Sequence, residues 1–576
     1  MSQTAWSRRH FLWILSASAA PLAACASNGR SSATSPVGDG SGGDPDAGNG
    51  EDPTNGGNAP GTTGGEPDGG EPPLPPVEEQ PAYDFLHGIA SGDPMKDRVI
   101  LWTRTTPEEE TLEPGKELLV DFIVASDTEL KNVIGRGRAS TTSERDYTVK
   151  VDVDGLMPGR TYYYQFFNPA DESVRSVVGR TRTLPEGGLD RARFAVVSCS
   201  CYAVGYFNAY AHIAGRKDLQ AVLHLGDYIY EYGPDTYNNT DLDRAHQPAH
   251  ECLTLEDYRT RHKQYKTDPD LNEAHRQHPF ITAWDDHEIC NDAWKDGAEN
   301  HTEGSEGAYK DRQAAGYRAY HEWMPIRDLD PKDDSKIYRS FAYGDLCDLM
   351  MLETRAHRDS QNRAQASSSA RKLMTDAQAS WLETELVTSQ SRGATWRLLG
   401  QQVMMGQLRI PGVNIPNADQ WDGYTSQRER LLSYVEEEGV DNLVVLTGDI
   451  HSSWAIEVAK DLTDYNASTG AGAQAVEYVC TSVTSPGLEF LAGSLSGLVL
   501  ALNSHMKWVN LERRGYLLLD VDHSRVQGDW YFADSILEPN ANHTFAKAFR
   551  TEAGKPRLLS ESLPTDAIDD APPLAP

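Results

Sequence analysis

The chain has 576 residues, too many for one ordinary domain, with 39% hydrophobic residues and a formal net charge of −33. So acidic a chain, with no basic stripe to neutralise a phosphate backbone, argues against a nucleic-acid binder. A small phosphate-bearing substrate stays open, since bound cations would invert the sign of a site locally.

Residues 1–25 read as an address. Ser7-Arg8-Arg9-His10-Phe11-Leu12 resembles a twin-arginine export signal, and the apolar stretch at 11–20 is too short to span a bilayer. Leu22-Ala23-Ala24-Cys25 is similar to a bacterial lipobox, whose cysteine is acylated and becomes the first mature residue. Ordinary cleavage near Ala24 is the plainer alternative. The expectation is a protein of the bacterial cell envelope, lipid-anchored to the membrane through Cys25. Residues 26–81 hold ten acidic side chains against Arg30 alone, among Gly, Pro, Ser and Asn. Such a segment buries too little to offset its ordering entropy, so it reads as a disordered tether.

Residues 83–190 are patterned as strands. Runs at 99–104, 118–124, 147–153 and 161–166 are hydrophobic or alternating, with a Gly-Pro-Gly-rich turn at 155–160. Short strands at this spacing predict an immunoglobulin- or fibronectin-like β-sandwich. Nothing in it looks catalytic.

From residue 191 strands alternate with helical periodicity, which predicts an α/β catalytic domain over 191–558. Helices are expected at 207–217, 255–266, 308–323, 377–391 and 425–438. Further strands are expected at 350–352, 396–400, 476–483, 516–521 and 526–532. The acidic, Pro-rich tail at 559–576 is expected to fray.

Four apolar runs in this region end on metal-ligand side chains. Residues 194–198 run into Cys199, and residues 223–226 into Asp227 and Tyr230. Residues 279–284 run into Asp285-Asp286-His287-Glu288, and 443–448 into Asp449 and His451. Parallel sheets gather sites at strand C-termini in this way. Carboxylates suit hard cations and an imidazole suits transition ions. An aspartate that reaches two ions can hold a pair close enough to clamp a phosphoryl group, and Asp227 is the candidate bridge. Cys199 and Tyr230 would be anionic when bound, and phenolate favours iron(III). Each has a plainer reading taken singly, Cys199 as a small core residue and Tyr230 as a buried ring.

Ser198-Cys199, Gly226-Asp227-Tyr228-Ile229-Tyr230-Glu231, Trp284-Asp285-Asp286-His287-Glu288 and Thr447-Gly448-Asp449-Ile450-His451 together resemble the PhoD-like alkaline phosphatase/phosphodiesterase family. Gly92-Asp93-Pro94 and Asp419-Gln420-Trp421-Asp422-Gly423-Tyr424 share in the likeness, which spans residues 85–532. The resemblance implies a β-sandwich followed by a calcineurin-like metallophosphoesterase α/β sandwich, with iron(III) and calcium as cofactors. It implies Cys199, Asp227, Tyr230 and Asp449 as iron ligands, and Asp227, Asp286 and His451 as calcium ligands. Asp285 is the alternative to Asp286, and Asn291 and Gln402 are further candidates. Cys201, two residues beyond Cys199, departs from the family's usual pattern.

Catalytic roles are expected at His287, as proton donor or phosphate contact, and at Arg355, as a grip on a phosphate oxygen. The plainer readings are a structural histidine bonded to Glu288 or a carbonyl, and an ion pair of Arg355 with Glu353 or Asp359. The expected partner is a phosphoester substrate, and the expected state a monomer. A phospholipase D-type lipid phosphodiesterase is the nearer rival, and a non-catalytic surface-binding lipoprotein the further one. Cys201, Cys252, Cys290, Cys347 and Cys480 leave disulfide pairing open.

Overall fold

Runs of Val, Leu, Ile and Ala with no polar alternation have to be covered on both faces; here two mixed sheets lie face to face and cover one face of each other, and helices lie against the outer faces. The structure is a computed structural model, described for residues 74–77, 79–107, 115–410, 412, 417–489 and 494–576. The signal, Cys25 and almost all of the tether lie outside the described residues.

The larger sheet has ten strands, ordered Lys555–Glu561, His543–Glu552, Arg525–Ala533, Gly515–Asp522, Arg191–Val197, Ala221–His224, Pro279–Thr282, Ile89–Gly92, Val99–Arg104 and Thr148–Val153. Its centre, from Arg191–Val197 to Ile89–Gly92, is parallel. The second sheet has seven strands, with Cys347–Met351, Trp396–Gln401, Leu443–Thr447 and Ala473–Val479 parallel at its centre. One core joins them, with Val196, Leu223 and Ile281 from the first sheet and Leu398, Leu446 and Tyr478 from the second. Close packing shows at Gly528, where a Cβ would stand 2.7 Å from the Tyr478 ring.

The N-terminal region does form two layers, but only one belongs to it alone. Leu118–Ala125, Val133–Thr141, Thr161–Asn168, Asp171–Arg175 and Gly179–Arg182 make a separate five-stranded antiparallel sheet. Its Val120, Phe122, Val124 and Tyr164 pack on Val99, Leu101, Val149 and Val151, whose strands continue the ten-stranded sheet. The sheet therefore runs straight across residue 190. Asp93 fastens this join: fully buried, it accepts from the Arg327 amide at 2.8 Å and the Arg339 guanidinium at 2.5 Å. Asp93→Ala would strand Arg339 in the interior, and is expected to destabilise the fold by about 3–5 kcal/mol. The turnover of the remaining folded, metal-loaded protein should be unchanged; denaturant unfolding and kinetics together check this.

The five expected helices appear at Asn208–Ala214, Leu255–Tyr265, Tyr309–Trp323, Asp376–Ser391 and Thr425–Glu437. Leu255–Tyr265 opens on a Thr254–Asp257 capping box. A further helix, Pro269–Gln277, lies outside the expected set, although Asp268 caps it and Pro269 takes its first turn, both sequence signals of a helix start. The C-terminal tail is ordered rather than frayed. Lys555–Glu561 is an edge strand, and beyond it backbone groups are tied down one after another. The Thr565 amide bonds Asp529 at 2.8 Å, Pro573 accepts from the Tyr163 hydroxyl at 2.7 Å, and the Ala575 amide meets Gln277 at 2.8 Å. Among the described residues no helix is long and apolar enough to cross a membrane, and six cysteines are free thiols.

Candidate metal centre

The predicted ligands converge, but from two sheets instead of one. Cys199, Asp227 and the Asp285-Asp286-His287 turn follow three adjacent parallel strands of the ten-stranded sheet. Asp449 and His451 follow Leu443–Thr447 of the facing sheet. The backbone reverses sharply at these points: Cys199, Asp227, Asp449 and His451 all have left-handed φ, between 51° and 61°. Non-glycine residues rarely hold that geometry, and it collects where a side chain must be aimed against local preference. Gly226 is required here, since a Cβ would lie 2.4 Å from that of Asp285.

Three acceptors meet at the centre. The Tyr230 hydroxyl lies 2.9 Å from Asp227 Oδ2 and 3.0 Å from His451 Nε2. His451 Nδ1 faces the Pro486 carbonyl at 2.8 Å, so that nitrogen carries the ring proton and Nε2 presents a lone pair. One phenolic proton is left to serve Asp227, His451 and the tyrosine oxygen. A cation satisfies such a set. Cys199, fully buried, belongs to the same group, its ligand atom within 4.8 Å of those of Asp227 and His451. Burial, then the Asp227 charge, pushes both the Cys199 thiol and the Tyr230 phenol well up. Burial opposes charge on Asp227 too, yet the neighbouring His287, with Arg355, holds it at about 2.

Two more groups adjoin the first. Asp227, Asp286 and His287 form one, and Asp285, Asp286 and Asp449 the other. Asp286 belongs to both, whereas Asp285 belongs to the second alone and gives its Oδ1 to Arg355. His451, expected on the calcium side, thus stands with Cys199 and Tyr230. Asp449, expected with iron, stands with the Asp285-Asp286 pair. Burial pushes Asp449 up to about 6 against the pull of Arg355.

Arg355 is wholly enclosed, with Nε on Asp285, Nη1 on Asp419 at 2.9 Å and Nη2 on Asp449 at 2.6 Å. Neither Glu353 nor Asp359 is its side-chain ion partner. It ties carboxylates of both sheets together. His287 pairs through Nδ1 with Glu231 at 2.7 Å, not with Glu288. Although burial disfavours its charge, Glu231, Asp227 and Asp286 raise its pKa well above the usual range.

Several residues that shape the site carried no assigned role in the sequence. Glu288 accepts from the backbone amides of Asp227, Tyr228 and Asp285, at 3.1, 2.6 and 2.7 Å, and so locks two ligand turns to each other. Gln420 donates to Asp449, and Asp419 gathers Arg355 and Arg358. Both lie in the 419–424 motif, a signal that could have marked them. Of the further candidates, Gln402 has both amide ends engaged, by Thr354 and the Leu352 carbonyl. Asn291 donates its side-chain amide to Glu299 at 2.5 Å.

Known proteins resemble this chain in sequence and fold. The PhoD-like phosphatase family matches residues 194–530, and its N-terminal domain matches residues 72–185. Alkaline phosphatase D of Bacillus subtilis (strain 168) is 36% identical over 477 residues, covering 80% of this chain and 79% of that protein. A solved structure of PhoD superposes with a TM-score of 0.77 at 33% identity, over 85% of this chain and 94% of that one. With two-sheet architecture, clustered acidic and histidine ligands and sequence all agreeing, the chain belongs to the PhoD-like phosphatase family, hydrolases of phosphoester bonds.

Proposed function

We propose that this protein is an exported alkaline phosphatase/phosphodiesterase working with an iron(III)–calcium centre. The observation that carries the reading is the meeting of Asp227 Oδ2, the Tyr230 hydroxyl and His451 Nε2 around one proton, with the Cys199 thiol beside them. In this reading Cys199, Asp227, Tyr230 and His451 hold iron, and Asp227, Asp286 and Asp449 hold calcium. When bound, the ions neutralise phosphoryl oxygens and lower the pKa of water.

The chain's own groups do the rest. Asp227 is shared by two of the ligand groups and sets the spacing between them. Glu231 pairs with His287 Nδ1 at 2.7 Å and holds the ring beside Asp227 and Asp286, where it can hand a proton to a departing alkoxide. Arg355 is a positioning residue: its three nitrogens hold Asp285, Asp419 and Asp449, and its side chain is closed to solvent. Glu288 keeps the two ligand turns in register.

Metal analysis of the purified protein, with turnover of matched aryl monoester and diester substrates, tests the reading. Iron and calcium should co-purify, and calcium chelation should stop hydrolysis of whichever ester is cleaved. A metal-loaded protein that cleaves neither ester overturns it. Location is tested separately. The protein should fractionate with membranes and incorporate a lipid label, and Cys25→Ser should be soluble or unprocessed. Equal solubility of the two forms, with no label taken up, removes the anchor.

A further inference from the structure

Among the described candidate ligands, those that reach the surface most are Asp449 and His451, with 16% and 13% of their side-chain area open. Asp227 and Asp286 keep 2% and 4%, and Cys199 and Tyr230 are closed. A substrate therefore arrives over Asp449 and His451. Tyr237 stands at that rim, half-buried, its ring centroid 6.1 Å from His451 and 5.6 Å from Tyr230. Tyr232 meets it edge-on at 5.4 Å and 84°.

The backbone of Tyr237 is unusual for an aromatic residue. Its φ is +46°, in the same left-handed region as Cys199, Asp227, Asp449 and His451. Two groups converge on its carbonyl to keep it there, the Cys201 thiol at 3.6 Å and the His246 ring at 3.1 Å. Two residues on, the Asn239 amide bonds the Ala203 carbonyl at 2.8 Å. These anchors fix the backbone, and the contacts with Tyr230, Tyr232 and His451 hold the ring. The anchors also give a use to Cys201, the thiol two residues beyond Cys199 that is no part of the ligand groups.

We propose that Tyr237 is a specificity-determining platform, against which the organic group of the phosphoester lies, favouring esters of planar aromatic alcohols over esters of small polyols. The inference rests on the hydrolase reading above. A fixed aromatic face beside a phosphate-binding centre offers offset stacking to a flat ring, and only weak, undirected contact to a polyol.

The test compares phenyl phosphate with glycerol phosphate on the full chain, in wild type, Tyr237→Phe and Tyr237→Leu. Both variants keep a Cβ, so the backbone cost is common to them. Leucine removes the flat face and phenylalanine keeps it. Tyr237→Leu should lose about tenfold in kcat/KM on phenyl phosphate and stay within about twofold on glycerol phosphate. Inhibition by inorganic phosphate and bound metal should not move, and Tyr237→Phe should keep the wild-type ratio of kcat/KM between the two esters. Equal losses on both esters, a loss in Tyr237→Phe as large as in Tyr237→Leu, or no loss at all overturns the platform. If wild type cleaves neither monoester, the diester assay above decides the hydrolase reading separately, and equilibrium binding of phenylphosphonate and methylphosphonate decides the platform. A preference for the phenyl compound that Tyr237→Leu abolishes supports it, and no preference overturns it.

Discussion

Replacing Asp227 by alanine is expected to reduce phosphoester hydrolysis by roughly 10³-fold or more, with little change in fold. The reason is its double membership. Its carboxylate belongs to the Cys199–Asp227–His451 group and to the Asp227–Asp286–His287 group, so its loss loosens both at once. It also accepts from Tyr230 at 2.9 Å, and the backbone that aims it is clamped by Glu288 and would remain so. Asp227→Asn keeps the shape but not the charge, and should be nearly as damaged. Kinetics on phosphoesters, with metal content measured on the same preparations, check this. A near-normal rate from Asp227→Ala would remove the two-metal reading.

The second large effect concerns colour. A thiolate and a phenolate buried without a cation would be expensive, and a hard divalent pair has no use for either. Bound to iron(III), both donate charge to the metal, and the pure protein should absorb visible light. Tyr230→Phe should bleach or shift the band, and Cys199→Ser should loosen the iron, because serine is a far weaker anion at neutral pH. Calcium chelation should abolish activity and leave the colour. Each substitution is nearly isosteric, so folding should survive. A colourless, iron-free protein with full activity would replace this centre by an ordinary divalent one.

The four ligand turns were legible because a buried strand leaves a plain trace, an unbroken apolar run that stops at a polar turn. Cys199, Asp227, Asp286 and Asp449 each follow such a run. Which of them meet was not legible. His451 joins Tyr230 through a contact across 221 residues, from a strand in the other sheet, and no local pattern carries that. Glu288 acts by receiving amides 60 and 61 residues away. The tail misled for a related reason. Its composition reads as disorder, but it is held through its backbone by distant side chains such as Gln277 and Tyr163. The N-terminal sheet was visible strand by strand, while the pairing of Phe280 with Gly92 that fuses it to the larger sheet was not.

The order of the ten-stranded sheet also dictates when the protein can fold. Arg191–Val197 has Ala221–His224 on one side, but its other neighbour is Gly515–Asp522, more than 300 residues later in the chain. Until that strand has been synthesised, the middle of the sheet is a bare edge, open to pairing with the wrong chain. Contacts of such separation make folding slow and leave intermediates prone to aggregate. Every candidate ligand, from Cys199 to His451, has by then left the ribosome. Binding of metal to a half-closed chain can therefore precede closure of the sheet behind it, and fragments ending before residue 515 should be recovered as aggregates.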